Sequence, residues 1–174
     1  MRWQGTCYRG HDPQWAFAPT SGEGAAAKGG RFNPSGMPAL YLALTIPGIF
    51  KEMAHGMADR FDPLTVCTYR ADMEDIVDLT SDSATAAGAA FSDMKSAWEY
   101  DLACHRTPAS WNLAVRLIGA GAAGILTPSF ATGAQPDMIN LVLWKWGPDL
   151  PHKIEVYDPA GKLPRDRSSW ATAP

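Results

Sequence analysis

The chain has 174 residues, of which 46% are hydrophobic and 19% are charged, and its formal net charge at pH 7 is −3. These values are typical of one globular domain with a substantial core. The acidic balance gives no general attraction to nucleic acid or to an anionic membrane, so we expect neither as a direct partner. The three cysteines form no CxxC pair, so we expect no metal site. The first residues lack the apolar segment of a signal peptide, and we expect a reducing cytoplasmic location.

The first half of the chain is predicted to contain short strands, one long loop and one helix. Apolar runs bounded by turn residues predict strands at Trp3–Arg9, Leu40–Leu44 and Leu64–Arg70. Residues Gly10–Gly30 contain two prolines and five glycines, which predicts a long loop, and Arg31 is expected to begin a short strand. Apolar residues at helical spacing predict a helix over Ile46–Asp59, with Pro47 in its first turn.

The second half alternates predicted strands and helices without a strict βαβ pattern. Strands or extended pieces are predicted at Ile76–Leu79, Gly124–Ser129, Met138–Trp146 and Lys153–Tyr157. Helices are predicted at Asp93–Arg106 and Ser110–Gly119. The apolar face of the second helix is expected to comprise Trp111, Ala114, Val115 and Ile118. This mixture predicts a single α+β domain over residues 1–160, with mixed or antiparallel short strands, flanking helices and a tail at 161–174.

The segment 28–52 concentrates the residues that can carry chemistry. Gly29 and Gly30 stand directly before Arg31. A backbone without Cβ atoms can approach a ligand closely, and a guanidinium group suits phosphate or carboxylate. Tyr41 in an apolar strand and Glu52 on the following helix add a ring and a carboxylate. Together these residues predict a site for an anionic ligand with a charged catalytic group.

Six segments, in the same order along nearly the whole chain, resemble the RES domain, a family named for an arginine, a glutamate and a serine. They are Tyr8-Arg9, Gly29–Gly36, Tyr41–Ala43, Glu52, Gly124–Ser129 and Asn140–Leu143. Phe32 stands where the family usually has tryptophan, which keeps an aromatic ring. The resemblance implies a fold similar to that of ADP-ribosyltransferases. It also implies a bacterial toxin of a toxin–antitoxin pair.

The resemblance further implies a substrate and a partner. NAD would be the substrate, with no metal, and the nicotinamide–ribose bond would be broken. We expect transfer of ADP-ribose to a protein acceptor, while breakdown of NAD by water or phosphate stays open. The implied partner is a cognate antitoxin with a helix-turn-helix (Xre-like) DNA-binding domain. A nucleotide-binding module without chemistry is the competing non-enzymatic interpretation. A toxin directed at nucleic acid is disfavoured by the acidic charge.

The resemblance assigns expected roles to five residues around the dinucleotide. Arg31 and Arg9 are expected to hold phosphate or ribose, because a guanidinium fork binds such groups bidentately. Tyr41 is expected to stack on nicotinamide, and Tyr8 to contact ribose or nicotinamide. Glu52 is expected to be the catalytic carboxylate that stabilises positive charge developing on the ribose. The plainer alternatives are a surface salt bridge for Arg31, a core position for Tyr41 and a solvent-facing position for Glu52.

Three further residues keep two interpretations each. Ser129 has no base supplied by a recognisable motif, so we expect it to be a hydrogen-bond donor that orients Glu52 or the ligand, and not a nucleophile. Asn33 is expected either to fix the glycine loop or to contact ribose. His55 lies one helical turn from Glu52, where a structural role is favoured over a catalytic one.

Overall fold

The structure is a computed structural model that describes residues 1–53, 62–80 and 88–170. Its strands are β1 Trp3–His11, β2 Leu40–Ala43, β3 Thr65–Met73, β4 Ile76–Asp78, β5 Gly124–Pro128, β6 Ile139–Leu143 and β7 His152–Val156. The α-helices in these residues are α1 Glu23–Lys28, α2 Ile46–Met53, α3 Phe91–Met94, α4 Trp98–Ala103 and α5 Ala109–Gly119. Short 3-10 turns lie at Pro13–Trp15 and Ser168–Trp170. The prediction of a single α+β domain with a mixed sheet is confirmed.

All seven strands belong to one sheet, in the order β4-β5-β6-β2-β1-β3-β7. β4 and β5 pair in parallel, and the other neighbouring strands pair antiparallel. β1 pairs with β3 along all nine of its residues, but it meets β2 only where Tyr8 faces Ala43. The sheet therefore has two well-paired parts, β4-β5-β6-β2 and β1-β3-β7, which diverge on either side of one contact.

Two hydrophobic clusters pack against the sheet. The first cluster includes Leu40, Leu42 and Tyr69 and is formed mainly by strand residues. The second cluster includes Leu113 of α5 and Val142 of β6. Alternate residues of β2 enter different clusters because successive side chains of a strand point to opposite faces. Tyr41 accordingly packs against the second cluster, whereas its neighbours in β2 belong to the first.

The three thiols differ in environment. Cys7 and Cys67 are buried in the first cluster, whereas Cys104, directly after α4, is exposed. Burial raises the pKa of the Cys7 thiol to about 12. Burial is also the main reason why the pKa of Cys67 lies above its usual value.

The segment predicted as the long loop Gly10–Gly30 is partly helical. It contains the 3-10 turn Pro13–Trp15 and the helix α1. Three consecutive alanines favour helix, while Glu23 and Lys28 complement the partial charges at its two ends. The prediction that a strand starts at Arg31 is also wrong. Residues 30–33 instead form a turn closed by a hydrogen bond from the Gly30 N–H to the Asn33 carbonyl.

The helix predicted over Asp93–Arg106 is instead two short helices, α3 and α4, separated by residues 95–97. The break occurs where Arg31 binds the carbonyls of Met94 and Ser96. The predicted apolar face of the last helix was also wrong in part. The buried residues of α5 are Ser110, Leu113, Ala114 and Leu117, whereas Val115 is 53% exposed.

The residues after β7 return along the domain. Leu163 packs against the first cluster, and the guanidinium carbon of Arg167 lies 4.0 Å from the centre of the Trp15 ring. Within the described ranges, no helix combines the length and the apolar character that crossing a membrane would require. The predicted continuation of α2 towards Asp59, with His55, lies outside the described residues.

Candidate active site

A cleft lies beside the divergence of β1 and β2. Two neighbouring cavities, of about 270 Å³ and 730 Å³, share five lining residues. These shared residues are Arg9, Tyr41, Glu52, Met53 and Asn140. They come from β1, β2, α2 and β6, so the cleft draws on both parts of the sheet.

The larger cavity carries an excess of positive charge. Its described lining includes four basic side chains and two acidic ones. They are Arg9, Lys28, Arg31 and Lys51, with Glu52 and Glu99. The whole chain has a formal charge of −3, whereas the charged side chains that line this cleft are mostly basic. Such a cleft attracts a negatively charged ligand.

Glu52 is held at the cleft by two hydrogen bonds to the same carboxylate oxygen. The Ser129 hydroxyl donates to Oε1 at 2.5 Å, and the Asn140 amide Nδ2 donates to Oε1 at 2.7 Å. The other oxygen, Oε2, accepts no hydrogen bond from the described residues. The carboxylate is therefore fixed in orientation, while its other oxygen is left unpaired by residues 1–53, 62–80 and 88–170.

Arg31 reaches the same cleft from the turn after α1. Its Nη1 donates to the Met94 carbonyl at 3.2 Å and to the Ser96 carbonyl at 2.6 Å. Its guanidinium carbon lies 4.8 Å from the centre of the Phe130 ring, a cation–π distance. Burial lowers the pKa of Arg31, and the negative charge of Glu52 partly offsets this effect. Within the described part of the chain Arg31 forms no salt bridge.

The turn that carries Arg31 is tied to Tyr41. The Tyr41 hydroxyl accepts from the Phe32 N–H at 2.9 Å and donates to Asn33 Oδ1 at 2.7 Å. The fully buried Asn33 amide donates in turn to three main-chain carbonyls. A Cβ at Gly30 would lie 2.6 Å from the Tyr41 hydroxyl, so only glycine leaves room for this pair. Burial is the main cause of the raised pKa of Tyr41.

Arg9 is held by the loop before α1. Its Nη1 donates to the carbonyls of Pro19, at 3.3 Å, and Ser21, at 2.8 Å. The Pro19 carbonyl also accepts from the Tyr69 hydroxyl at 2.7 Å. Since this bond uses the only proton of that hydroxyl, Nε2 of the buried His11 is the donor in the 2.7 Å contact between His11 and Tyr69.

Comparison with known proteins decides the family. The model of the RES domain matches residues 6–166. The chain belongs to the RES domain family. Its fold is similar to that of a chain in the crystal structure of the M. tuberculosis MbcT–MbcA toxin–antitoxin complex, with a TM-score of 0.56 and 22% identity. That match covers 91% of this chain and 84% of the other. A comparison with curated proteins gives no match.

The RES domain brings most of the predicted site residues to one place. Arg9, Arg31, Tyr41 and Glu52 line the larger cavity, and Tyr8 lines the smaller one. Ser129 contacts the cleft through its hydrogen bond to Glu52. Asn33 lies behind Tyr41, where its hydrogen bonds fix the turn. His55 lies outside the described residues.

Asn140 is a site residue that was not predicted. A signal was present, because Asn140 is a polar residue in an otherwise apolar strand, INLVL. Lys28 and Lys51 were not predicted either, since isolated surface lysines carry no pattern that indicates a cleft. Among the described residues, no group of three or more histidine, cysteine, aspartate or glutamate side chains could hold a metal ion.

Proposed function

We propose that this RES domain protein is the toxin of a toxin–antitoxin pair and that it consumes NAD by cleaving the nicotinamide–ribose bond. The observation that carries the proposal is the convergence of Arg31 and Glu52 on one cleft of about 730 Å³. NAD combines an anionic pyrophosphate with a cationic pyridinium glycoside. A basic cleft with one oriented carboxylate matches both features.

In the proposed complex the arginines bind the anionic part of NAD. The Nη1 groups of Arg9 and Arg31 donate to main-chain carbonyls, and these contacts fix each guanidinium in place. Nε and Nη2 of Arg31 make no hydrogen bond to the described residues, so they can donate to two phosphate oxygens. This preorganisation lowers the entropic cost of binding, because the side chain is already ordered.

Cleavage of the glycosidic bond leaves both bonding electrons on the pyridinium nitrogen, and neutral nicotinamide departs without a proton. Positive charge develops on the ribose. Oε2 of Glu52 accepts a hydrogen bond from a ribose hydroxyl and stabilises this charge. Ser129 and Asn140 hold the carboxylate at the required angle. The ring of Tyr41 lines the cleft and provides a stacking surface for nicotinamide.

The proposed acceptor of ADP-ribose is a protein side chain, whose nucleophilic atom forms a bond to the ribose carbon that nicotinamide leaves and releases its proton to water. Breakdown of NAD by water or phosphate is the second candidate, and Lys28 and Lys51 favour an anionic acceptor because they add positive charge to the cleft.

A cognate antitoxin with a helix-turn-helix domain is the proposed partner. The similar structure, which is a toxin–antitoxin complex, supports such a partner. Failure of the co-expressed pair to co-purify would contradict this part of the proposal.

Incubation of the pure protein and a cell lysate with NAD labelled in its adenylate part tests the activity. We expect nicotinamide release and label on a protein band; free ADP-ribose or its phosphate without labelled protein would favour NAD breakdown. Glu52→Gln should abolish release, whereas Glu155→Gln, on β7 and exposed, should not. NAD that binds but stays intact would favour the nucleotide-binding module.

A further inference from the structure

Three of the tryptophans whose side chains the structure describes use their indole N–H in the same way. Trp111 Nε1 donates to the Gly30 carbonyl at 2.7 Å, Trp144 Nε1 to the Phe32 carbonyl at 2.9 Å, and Trp146 Nε1 to the Thr20 carbonyl at 2.9 Å. All three acceptors are main-chain groups of the loops around α1. These tryptophans therefore bind the backbone next to the cleft through a specific polar atom.

Two of these bonds enclose Arg31. Gly30 and Phe32 are its immediate neighbours, and the carbonyl of each accepts one indole N–H. The Phe32 N–H is bound as well, by the Tyr41 hydroxyl. The peptide groups on both sides of Arg31 are thus bound by Trp111 of α5 and Tyr41 of β2, and the next peptide group along the chain is bound by Trp144. Since the arginine side chain starts from a fixed backbone, its guanidinium is directed into the cleft with little freedom.

The third bond, from Trp146, fixes the loop that binds Arg9. The consecutive carbonyls of Pro19, Thr20 and Ser21 all accept side-chain donors, and Arg9 binds the first and the third. Trp146 binds the middle one. A Cβ at Gly22 would lie 2.7 Å from the Trp146 ring, so the loop and the indole are in close contact. Trp146 therefore holds the loop against which Arg9 is ordered.

One support of each proposed catalytic charge lies on the short segment 140–146. Asn140, in β6, holds Glu52, and Trp144 and Trp146 directly follow that strand. Trp144 packs against the second hydrophobic cluster and Trp146 against the first, so the segment is anchored on both sides of the sheet. A shift of this segment would therefore disturb one support of each of the three charged groups.

We propose that Trp111, Trp144 and Trp146 are positioning residues, whose indole N–H groups hold the loops of Arg31 and Arg9 in the geometry that binds an anionic ligand. The inference rests on the proposed function for the identity of that ligand, NAD. The role belongs to the N–H donor and is separate from the packing of the ring.

The test removes the indole N–H donor and keeps an aromatic ring at the same position. In Trp144→Phe, and in a protein carrying the sulfur isostere benzothienylalanine at position 144, the Phe32 carbonyl loses its indole donor, and the turn should open more often. We therefore expect the Phe32 amide, whose own bond to the Tyr41 hydroxyl is kept, to exchange with deuterium about tenfold faster, a change that corresponds to the contribution of about one buried hydrogen bond to the stability of the turn. The KM for NAD should rise about tenfold, with kcat changed less than threefold because the contacts of Glu52 are intact. Trp146→Phe should raise KM in the same way.

Trp3→Phe is the matched control, because the partly buried Trp3 ring packs on the first cluster and its indole donates to none of the described residues. This substitution should leave both the exchange rate of the Phe32 amide and the KM for NAD unchanged. Normal amide exchange and normal KM in the isostere protein would overturn the inference. If the wild type turns over no NAD, the proposed function fails, and the inference is then decided by calorimetric binding of pyrophosphate. Equal affinity in the wild type and the isostere protein, or no binding to either, would overturn it.

Discussion

At the scale of single residues, the asymmetric binding of the Glu52 carboxylate has the clearest functional consequence. Ser129 and Asn140 both donate to Oε1, so they share one acceptor and act on the same orientation. Hydrogen bonds to charged groups contribute about 1.5–3 kcal/mol each. Because both donors bind the same oxygen, the effects of removing them on the activation free energy are expected not to be additive.

We predict that Ser129→Ala and Asn140→Ala each lower kcat for NAD cleavage about 10- to 100-fold and leave KM nearly unchanged. The double variant should lose less than the product of the two single losses. A double-mutant cycle of nicotinamide release measures this coupling. Ser92→Ala, at an exposed serine of α3, serves as the control. Strictly multiplicative losses would show that the two donors act independently.

His11 makes stability depend on pH. Burial, and next the charge of Arg9, lower the pKa of His11 from 6.5 to about 4. At a pH between these two pKa values, the unfolded chain binds a proton at His11 that the folded protein does not bind. The free energy of unfolding therefore has its full value above pH 6.5 and falls as the pH decreases towards 4. His11→Gln should reduce this loss by about 2 kcal/mol in urea unfolding at pH 7 and pH 4.

The control for His11 is the exposed His105, whose φ of 55° suits asparagine. His105→Asn should retain the full pH dependence. An unchanged pH dependence in His11→Gln would mean that other groups control acid unfolding.

At the scale of elements, the turn at residues 30–33 depends on Gly30. We predict that Gly30→Ala destabilises the protein by about 2–3 kcal/mol, because the new methyl group would separate the Tyr41 hydroxyl from Asn33 and leave buried polar groups unpaired. Gly119→Ala is the matched control, since nothing lies within 4 Å of its added Cβ and alanine favours the helix α5. Chemical unfolding measures both, and equal stabilities would contradict the predicted clash.

The elements also show where sequence reasoning succeeds. β2 was predictable because its apolar run is continuous and bounded by turns, and β6 was predictable because Asn140 alone interrupts its apolar run. α1 was missed because glycine and proline flank it, although its own residues favour helix. The break between α3 and α4 depends on Arg31, more than 60 residues earlier in the chain, and no local pattern carries such a contact. Asn140 carries a local signal, as a polar residue in an apolar strand, but that signal does not identify its partner Glu52, which is distant in sequence.

At the scale of the whole molecule, the cleft connects two parts of the sheet that share a single residue pair. A ligand that contacts both parts links them and stabilises the folded state. We predict that NAD at about 100 times its Kd raises the Tm of Glu52→Gln, in which it is not consumed, by about 5–10 °C. Differential scanning calorimetry measures this shift. The additional substitution Arg31→Ala should remove most of the shift, and a shift that persists would place the ligand elsewhere.

The contrast between two buried thiols and one exposed thiol makes the wild-type chain suitable for fluorescence measurements. A maleimide dye should label Cys104 once per native molecule, and mass spectrometry should detect additional labels only after denaturation. Cys104 directly follows α4, whose first residue, Trp98, lines the cleft. The dye would sit about 9 Å along the helix axis from Trp98. Ligand entry could then be followed in real time by stopped flow, without introducing a single mutation.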